Sequence, residues 1–176
     1  QMYGLNSSGP APKSISIEKV KERGFDKMPT HGVIPVTVPG VPAAWASLSE
    51  RFGNLPLEET LKPAISYARE GYPISPILGK YWTSAFKRYK EIFQTEEYQS
   101  WFNTFAPSGR APEIGEVWRS EAHAKTLEEI AETKAESFYR GNLAEKIAAF
   151  FKTYDGFLTV EDLASYTPTW VDPIRL

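Results

Sequence analysis

The 176-residue sequence is 41% hydrophobic and 14% aromatic, enough apolar surface to bury the core of one domain. Its 20 basic and 22 acidic residues are well mixed and leave a net charge of −2, which excludes the basic footprint of a nucleic-acid binder. The absence of cysteine excludes disulfides, thiolate metal sites and a cysteine nucleophile, and no apolar run reaches the roughly 18 residues of a membrane span. Gln1-Met2-Tyr3-Gly4 is neither basic nor followed by an apolar stretch, so no signal peptide is expected there. Residues 3–6 read as the end of a strand, entered as abruptly as in a piece cut from a larger protein. Residues 7–12 hold two prolines and a glycine and form a turn or extended loop. Ser14 or Ser16 caps a short helix that carries Ile17 and Val20 and ends at Gly24. Val33, Ile34, Val36 and Val38 suggest a short buried extended segment.

Pro42 falls in the first turn of the next helix, where a missing N–H is harmless. Trp45, Leu48 and Phe52 are its expected buried stripe, and Gly53-Asn54 stop it. Leu57, Leu61, Ala64, Ile65 and Ala68 share one face of an antiparallel partner helix, in which Pro63 predicts a kink or a late start. Ser75 caps a long helix with Pro76 in its first turn and Leu78, Trp82, Ala85, Phe86 and Tyr89 on its apolar side. The aromatic run of Phe93, Tyr98, Trp101, Phe102 and Phe105 reads as core or subunit packing. Leu127, Ile130, Ala131, Ala135 and Phe138 then recur at helical spacing, in one helix that Gly141 closes through a left-handed turn. Asn142 caps a second helix with Leu143, Ile147, Phe150 and Phe151 inward. Asp155-Gly156 break the chain, and Thr159 three residues before Asp162 gives a near capping-box start to a third. Trp170, Val171 and Ile174, with Pro173, read as an edge strand or a return segment. The fold class is mainly α, a domain over residues 1–176 of roughly five to seven helices with short extended segments at both ends.

Residue types alone place little chemistry on this frame. His31 in a Thr-His-Gly loop and His123 near a helix start are far apart and read as structural or solvated, with no metal site between them. Ser7, Ser8, Ser47 and Ser49 lack a Gly-x-Ser-x-Gly setting, and Gly4 and Gly9 make no phosphate loop. Glu58-Glu59, Glu96-Glu97, Glu128-Glu129 and Glu161-Asp162 are adjacent pairs that point different ways around a helix, as solvated faces do.

Several segments taken in order resemble the large subunit of the γ-glutamyltranspeptidase family. Val38-Pro39-Gly40, Gly53, Leu55-Pro56, Pro63-Ala64-Ile65, Ala68 and Gly71-Tyr72 match its VPG helix, LP turn and PAI helix. Phe105 to Pro112 matches its F-x-P-x-G-x-x-P loop, and Ile114-Gly115-Glu116-Val117 the step that follows. Phe138-Tyr139-Arg140-Gly141, Gly156-Phe157-Leu158-Thr159 and Asp162-Leu163 with Tyr166 match its FY-x-G and GG-x-L-T-x-x-DL-x-x-Y segments. Asp155 stands where the first glycine of that pair is usual, and Ala44 or Ala46 where the VPG helix has a glycine.

The resemblance implies a segment of a larger N-terminal nucleophile hydrolase of αββα layering, with the helices packed on its sandwich. It implies cleavage of γ-glutamyl amides such as glutathione, by a threonine that self-cleavage of the precursor makes the first residue of a small subunit. That threonine lies outside this chain, so no catalytic residue is expected here and no cofactor is implied. The partners implied are the small subunit of the same precursor and a small γ-glutamyl or acyl amide; family members are often periplasmic or secreted.

One family site falls inside the chain, an arginine in an R-E-x-AP motif whose bidentate guanidinium pairs with the substrate α-carboxylate. Aligning Ala11-Pro12 with that motif makes Ser8 the substrate-binding position, with Asn6 a second candidate; the SGRAP variant of the motif falls on Pro10. None of these is arginine, which brings in a sister amide acylase of the cephalosporin-acylase kind as an alternative. Without the resemblance, Asn6, Ser7 and Ser8 are an ordinary polar turn, and a free-standing helical interaction module with an aromatic partner surface is a further alternative.

Overall fold

The structure, a computed structural model, describes residues 1–174; Arg175 and Leu176, the last two positions of the expected domain, lie outside the described residues. The chain is mainly helical. In order it runs β1 (Gly4–Asn6), α1 (Ile17–Glu22), α2 (Val41–Phe52), α3 (Leu57–Glu70), β2 (Tyr72–Pro73), α4 (Pro76–Ile92) and α5 (Gln99–Phe105). It continues through β3 (Val117–Trp118), α6 (Glu121–Glu132), α7 (Glu136–Arg140), α8 (Asn142–Thr153), α9 (Val160–Ala164) and β4 (Thr169–Val171). These nine helices among the described residues exceed the expected number, mainly because one expected helix is two and the aromatic run holds another. The chain separates into two compact units, Gln1–Leu61 with Glu128–Leu176, and Lys62–Leu127.

In the first unit, β1 and β4 pair antiparallel with Leu5 opposite Trp170, and the core gathers Val38, Tyr139, Leu143, Phe151, Leu158, Leu163 and Tyr166. Leu163 is fully buried and contributes about 1.5–3 kcal/mol relative to an exposed side chain. Ser16 caps α1 as expected, its side chain accepting from the Lys19 N–H. The valine-rich segment before α2 forms no strand: residues 31–35 are bends, and only Val38 of its four apolar residues is fully buried.

The expected stripe of α2 is corrected. Trp45, Leu48 and Phe52 keep 37%, 43% and 47% of their surface exposed, and the side facing the core carries Pro42, Ala43 and Ala46. Small side chains let the helix axis approach the core closely, which turns the bulky residues outward. Phe52 then packs against the Tyr3 and Trp170 rings at 5.1 and 5.6 Å, with Arg51 lying over Trp170 at 4.1 Å.

The expected helix closed by Gly141 is also corrected. Lys134 and Ala135 adopt left-handed backbone (φ 50° and 67°), and the Ala135 N–H returns to the Ile130 carbonyl at 2.8 Å, so the chain leaves α6 and restarts as α7. Gly141 is extended, with φ −141°. Asn142 is the first residue of α8 and not its cap; its amide reaches Glu129 at 3.1 Å, while the Ser137 hydroxyl accepts the Leu143 N–H at 3.2 Å. The Thr159 capping box is present in full.

In the second unit the aromatic run forms a cluster. Trp82 lies edge-on to Trp118 and Phe105, with ring centroids 5.4 and 5.8 Å apart. Each indole is also anchored, Trp82 donating to the Phe105 carbonyl at 2.8 Å and Trp118 to the Thr104 carbonyl at 3.0 Å. The short pairing of β2 with β3 was not foreseen; it sets Tyr72 opposite Trp118. Pro63 sits inside α3, which already begins at Leu57, so no late start occurs. No helix among the described residues is long and apolar enough to cross a membrane.

Candidate functional site

The two candidate binding residues lie in the turn that leaves β1. Asn6 accepts the Ser8 N–H on its side-chain oxygen at 3.0 Å, closing an Asx turn that leaves both side chains exposed. Ser7 points the other way. Its hydroxyl donates to the Gly40 carbonyl at 2.6 Å, so the Tyr166 hydroxyl, 3.0 Å away, donates to Ser7. The backbone then runs flat against the segment before α2, with the Val38 N–H donating to the Pro10 carbonyl at 3.0 Å. Contact is so close that a Cβ on Gly9 would stand 1.7 Å from the Val38 carbonyl oxygen.

The far end of the turn is held by α9. The Lys13 N–H donates to Asp162 Oδ1 at 2.9 Å, and the Ser14 hydroxyl donates to the Phe157 carbonyl at 3.4 Å. Asp162 Oδ2 accepts both the hydroxyl and the N–H of Thr159, at 2.8 and 3.0 Å. Burial works to raise the Asp162 pKa, but the hydrogen bonds from Lys13 and Thr159 outweigh it and hold the carboxyl below the usual aspartate range. Glu161 is solvated as expected, but its neighbour Asp162 is only 4% exposed, which corrects the reading of that pair as a solvated face. Glu129 departs from it too: Ser137 and Asn142 both donate to its carboxylate and lower its pKa.

Behind the turn stands Tyr139. Its hydroxyl donates to the Pro39 carbonyl at 2.6 Å and accepts the Ala43 N–H at 3.2 Å, capping an α2 whose own cap residue, Gly40, has no side chain. Burial pushes the Tyr139 phenol up to about 12, so it stays a neutral donor. Tyr139 and Tyr166 stand 5.4 Å apart as rings, and Arg140 donates to the Tyr166 carbonyl at 3.1 Å. Sequence reading placed Tyr139, Asp162 and Tyr166 in motifs without giving them this role; the one local signal among them was Thr159 three residues before Asp162.

Chemically the site offers hydroxyls and backbone groups and no guanidinium at positions 8 or 10. Among the described residues no cluster of three or more histidine, cysteine, aspartate or glutamate side chains is arranged to hold a metal. His123 has its Nδ1 2.8 Å from the Ser120 hydroxyl at the start of α6 and rests near Phe105 and Trp118. The turn is therefore held from behind by two tyrosines and a carboxylate, with no nucleophile–base pair in it among the described residues.

The sequence matches the Gamma-glutamyltranspeptidase family over residues 1–176, and the chain belongs to that family. Glutathione hydrolase proenzyme 1 of Schizosaccharomyces pombe is 32% identical over 98% of this chain and 26% of its own length. The crystal structure of cephalosporin acylase from Bacillus halodurans superposes with a TM-score of 0.97 at 57% identity, over 99% of this chain and 33% of that one. A γ-glutamyltranspeptidase from Pseudomonas nitroreducens complexed with L-DON gives a TM-score of 0.83 at 28% identity, over 99% of this chain and 50% of that one. The chain thus spans a quarter to a half of the length of these relatives, and a relative named as a proenzyme fits a two-subunit precursor.

Proposed function

We propose that residues 1–176 serve as the helical domain of the large subunit in an enzyme that cleaves γ-glutamyl amides such as glutathione. The observation that carries this reading is the family match along the whole chain, joined by relatives named as glutathione hydrolases. The nucleophile would be a threonine at the head of the small subunit, on a segment other than this one. Its hydroxyl attacks the amide carbonyl, its α-amino group takes the proton, the amine leaves, and water or an acceptor amine releases the acyl group. The present chain contributes a wall, with Ser8 and Asn6 set toward the acyl portion of the substrate.

A second reading, a sister amide acylase, draws support from two observations. The structure titled cephalosporin acylase shares 57% identity with this chain, and position 8 carries a hydroxyl where a guanidinium would pair with a free α-carboxylate. The parent precursor, allowed to self-process, is assayed on γ-glutamyl anilide and on acyl anilides lacking the α-carboxylate. Preference for the first supports the glutathione-type reading and preference for the second supports the acylase. Turnover by residues 1–176 alone would overturn the division of roles.

A further inference from the structure

Helix α2 is apolar on two sides. Pro42, Ala43 and Ala46 face the core of the first unit, while Val41, Trp45, Leu48 and Phe52 recur at i, i+4, i+7 and i+11 on the outward side and are all exposed. A helix open to water carries a polar outer face, whereas one that is apolar around its girth is covered on more than one side. Beside the stripe, where α2 turns into α3, lies an open groove of about 530 Å³ lined by Trp45, Leu48, Phe52, Leu55, Leu57 and Leu61.

The same patch runs onto the β1–β4 ribbon. Arg51 lies over the Tyr3 ring at 4.6 Å as well as over Trp170, and none of the ion pairs among the described residues includes it. Tryptophan, tyrosine and arginine are the side chains that most often carry binding energy at protein interfaces. Among the described residues β1 and β4 pair only with each other, so the ribbon keeps two open edges. This chain makes up 33% of the cephalosporin acylase structure and 26% of the Schizosaccharomyces pombe proenzyme. A parent of either length brings with it a far longer stretch of polypeptide than the one described.

We propose that the outer face of α2, from Val41 to Leu55 together with Tyr3, Arg51 and Trp170, is a docking surface for a segment of the same precursor outside residues 1–176. That segment lays apolar side chains in the groove and sets a carboxylate against the Arg51 guanidinium. Docking of this kind is independent of which acyl group the parent takes.

The test uses the self-processed parent carrying the photoreactive Trp45→p-benzoylphenylalanine or Phe52→p-benzoylphenylalanine, each an aromatic replacing an aromatic. After irradiation the joined peptides are identified by mass spectrometry. Expected is a product with a peptide of the same precursor outside residues 1–176, in a yield unchanged on dilution and with no mixed product when isotope-labelled and unlabelled parent are combined. A product between two copies, a product confined to residues 1–176, or no product at either position overturns the proposal. Adding Arg51→Glu is expected to lower the yield about 5-fold by setting like charges together, and an unchanged yield overturns the pairing with a carboxylate. Should the photoreactive variants fail to fold or to self-process, hydroxyl-radical labelling of the wild-type parent reads the same surface. With the exposure they have in this chain, Trp45 and Phe52 would label about two- to three-fold more slowly in the folded than in the denatured parent. Expected instead is a slowing of at least about 10-fold that persists on dilution, the mark of nearly complete burial. The smaller figure, or a slowing lost on dilution, overturns the proposal.

Discussion

The carbonyl oxygen of Ser7 lies 1.9 Å from where a Cβ on Gly40 would stand, and the Tyr166 hydroxyl lies 2.5 Å from the same point. Neither neighbour is free to withdraw, because Ser7 is bonded to Gly40 and Tyr166 to Ser7. Gly40→Ala is therefore expected to cost about 3–5 kcal/mol or to prevent folding, a large effect for one methyl group. Thermal unfolding and soluble yield check this, with Ala44→Gly in the body of α2 as a comparison that should cost only about 1 kcal/mol.

Tyr139→Phe keeps the ring in the core and removes the hydroxyl that serves both the Pro39 carbonyl and the Ala43 N–H. Leaving two partly buried backbone groups without that partner is expected to cost about 2–3 kcal/mol. The denaturant midpoint should fall with the slope unchanged.

That hydroxyl also shows where the sequence stopped being readable. Elements defined by neighbours along the chain were legible: the Ser16 and Ser75 caps, the Thr159 box and the edge strand all appear. Features set by distant packing were not. Nothing local distinguishes Trp45, Leu48 and Phe52 from a buried stripe, because the choice of face on α2 depends on how closely Ala43 and Ala46 approach the core. In the turn after β1, the family resemblance singled out Ser8 and Asn6 as candidates, while the tyrosines behind it are joined across 96 to 159 residues and have no local signature.

Lys134 is exposed and left-handed at φ 50°, a conformation that L side chains adopt at a cost of roughly 1–2 kcal/mol. Lys134→Gly removes that strain while adding freedom to the unfolded chain, so a net gain of up to about 1 kcal/mol is expected. Lys134→Ala, which keeps a Cβ, should show no comparable rise in Tm. The pair of measurements separates backbone strain from loss of the lysine charge.

Acid should act through Asp162. Its folded-state pKa lies below the unfolded value, so its contribution is fully present above the ordinary aspartate range and is lost as pH falls through the lowered folded pKa. Asp162→Asn is expected to be less stable than wild type near neutrality. The gap between the two should narrow only below about pH 4, where the wild-type carboxyl also becomes neutral. Unfolding free energies measured from pH 7 to pH 2 check this, and a gap independent of pH would contradict it.

The cap on α2 has a consequence for the order of events during synthesis. Ala43 is joined to the growing chain 96 residues before Tyr139, which at roughly 5–20 residues per second is an interval of about 5–20 s. Throughout that interval the first turn of α2 emerges from the ribosome with Gly40 as its only cap residue and Pro42 as its only local aid. The two bonds from Tyr139 to that turn can form only once the nascent chain has delivered α7, so translation itself sets the earliest moment at which the cap closes.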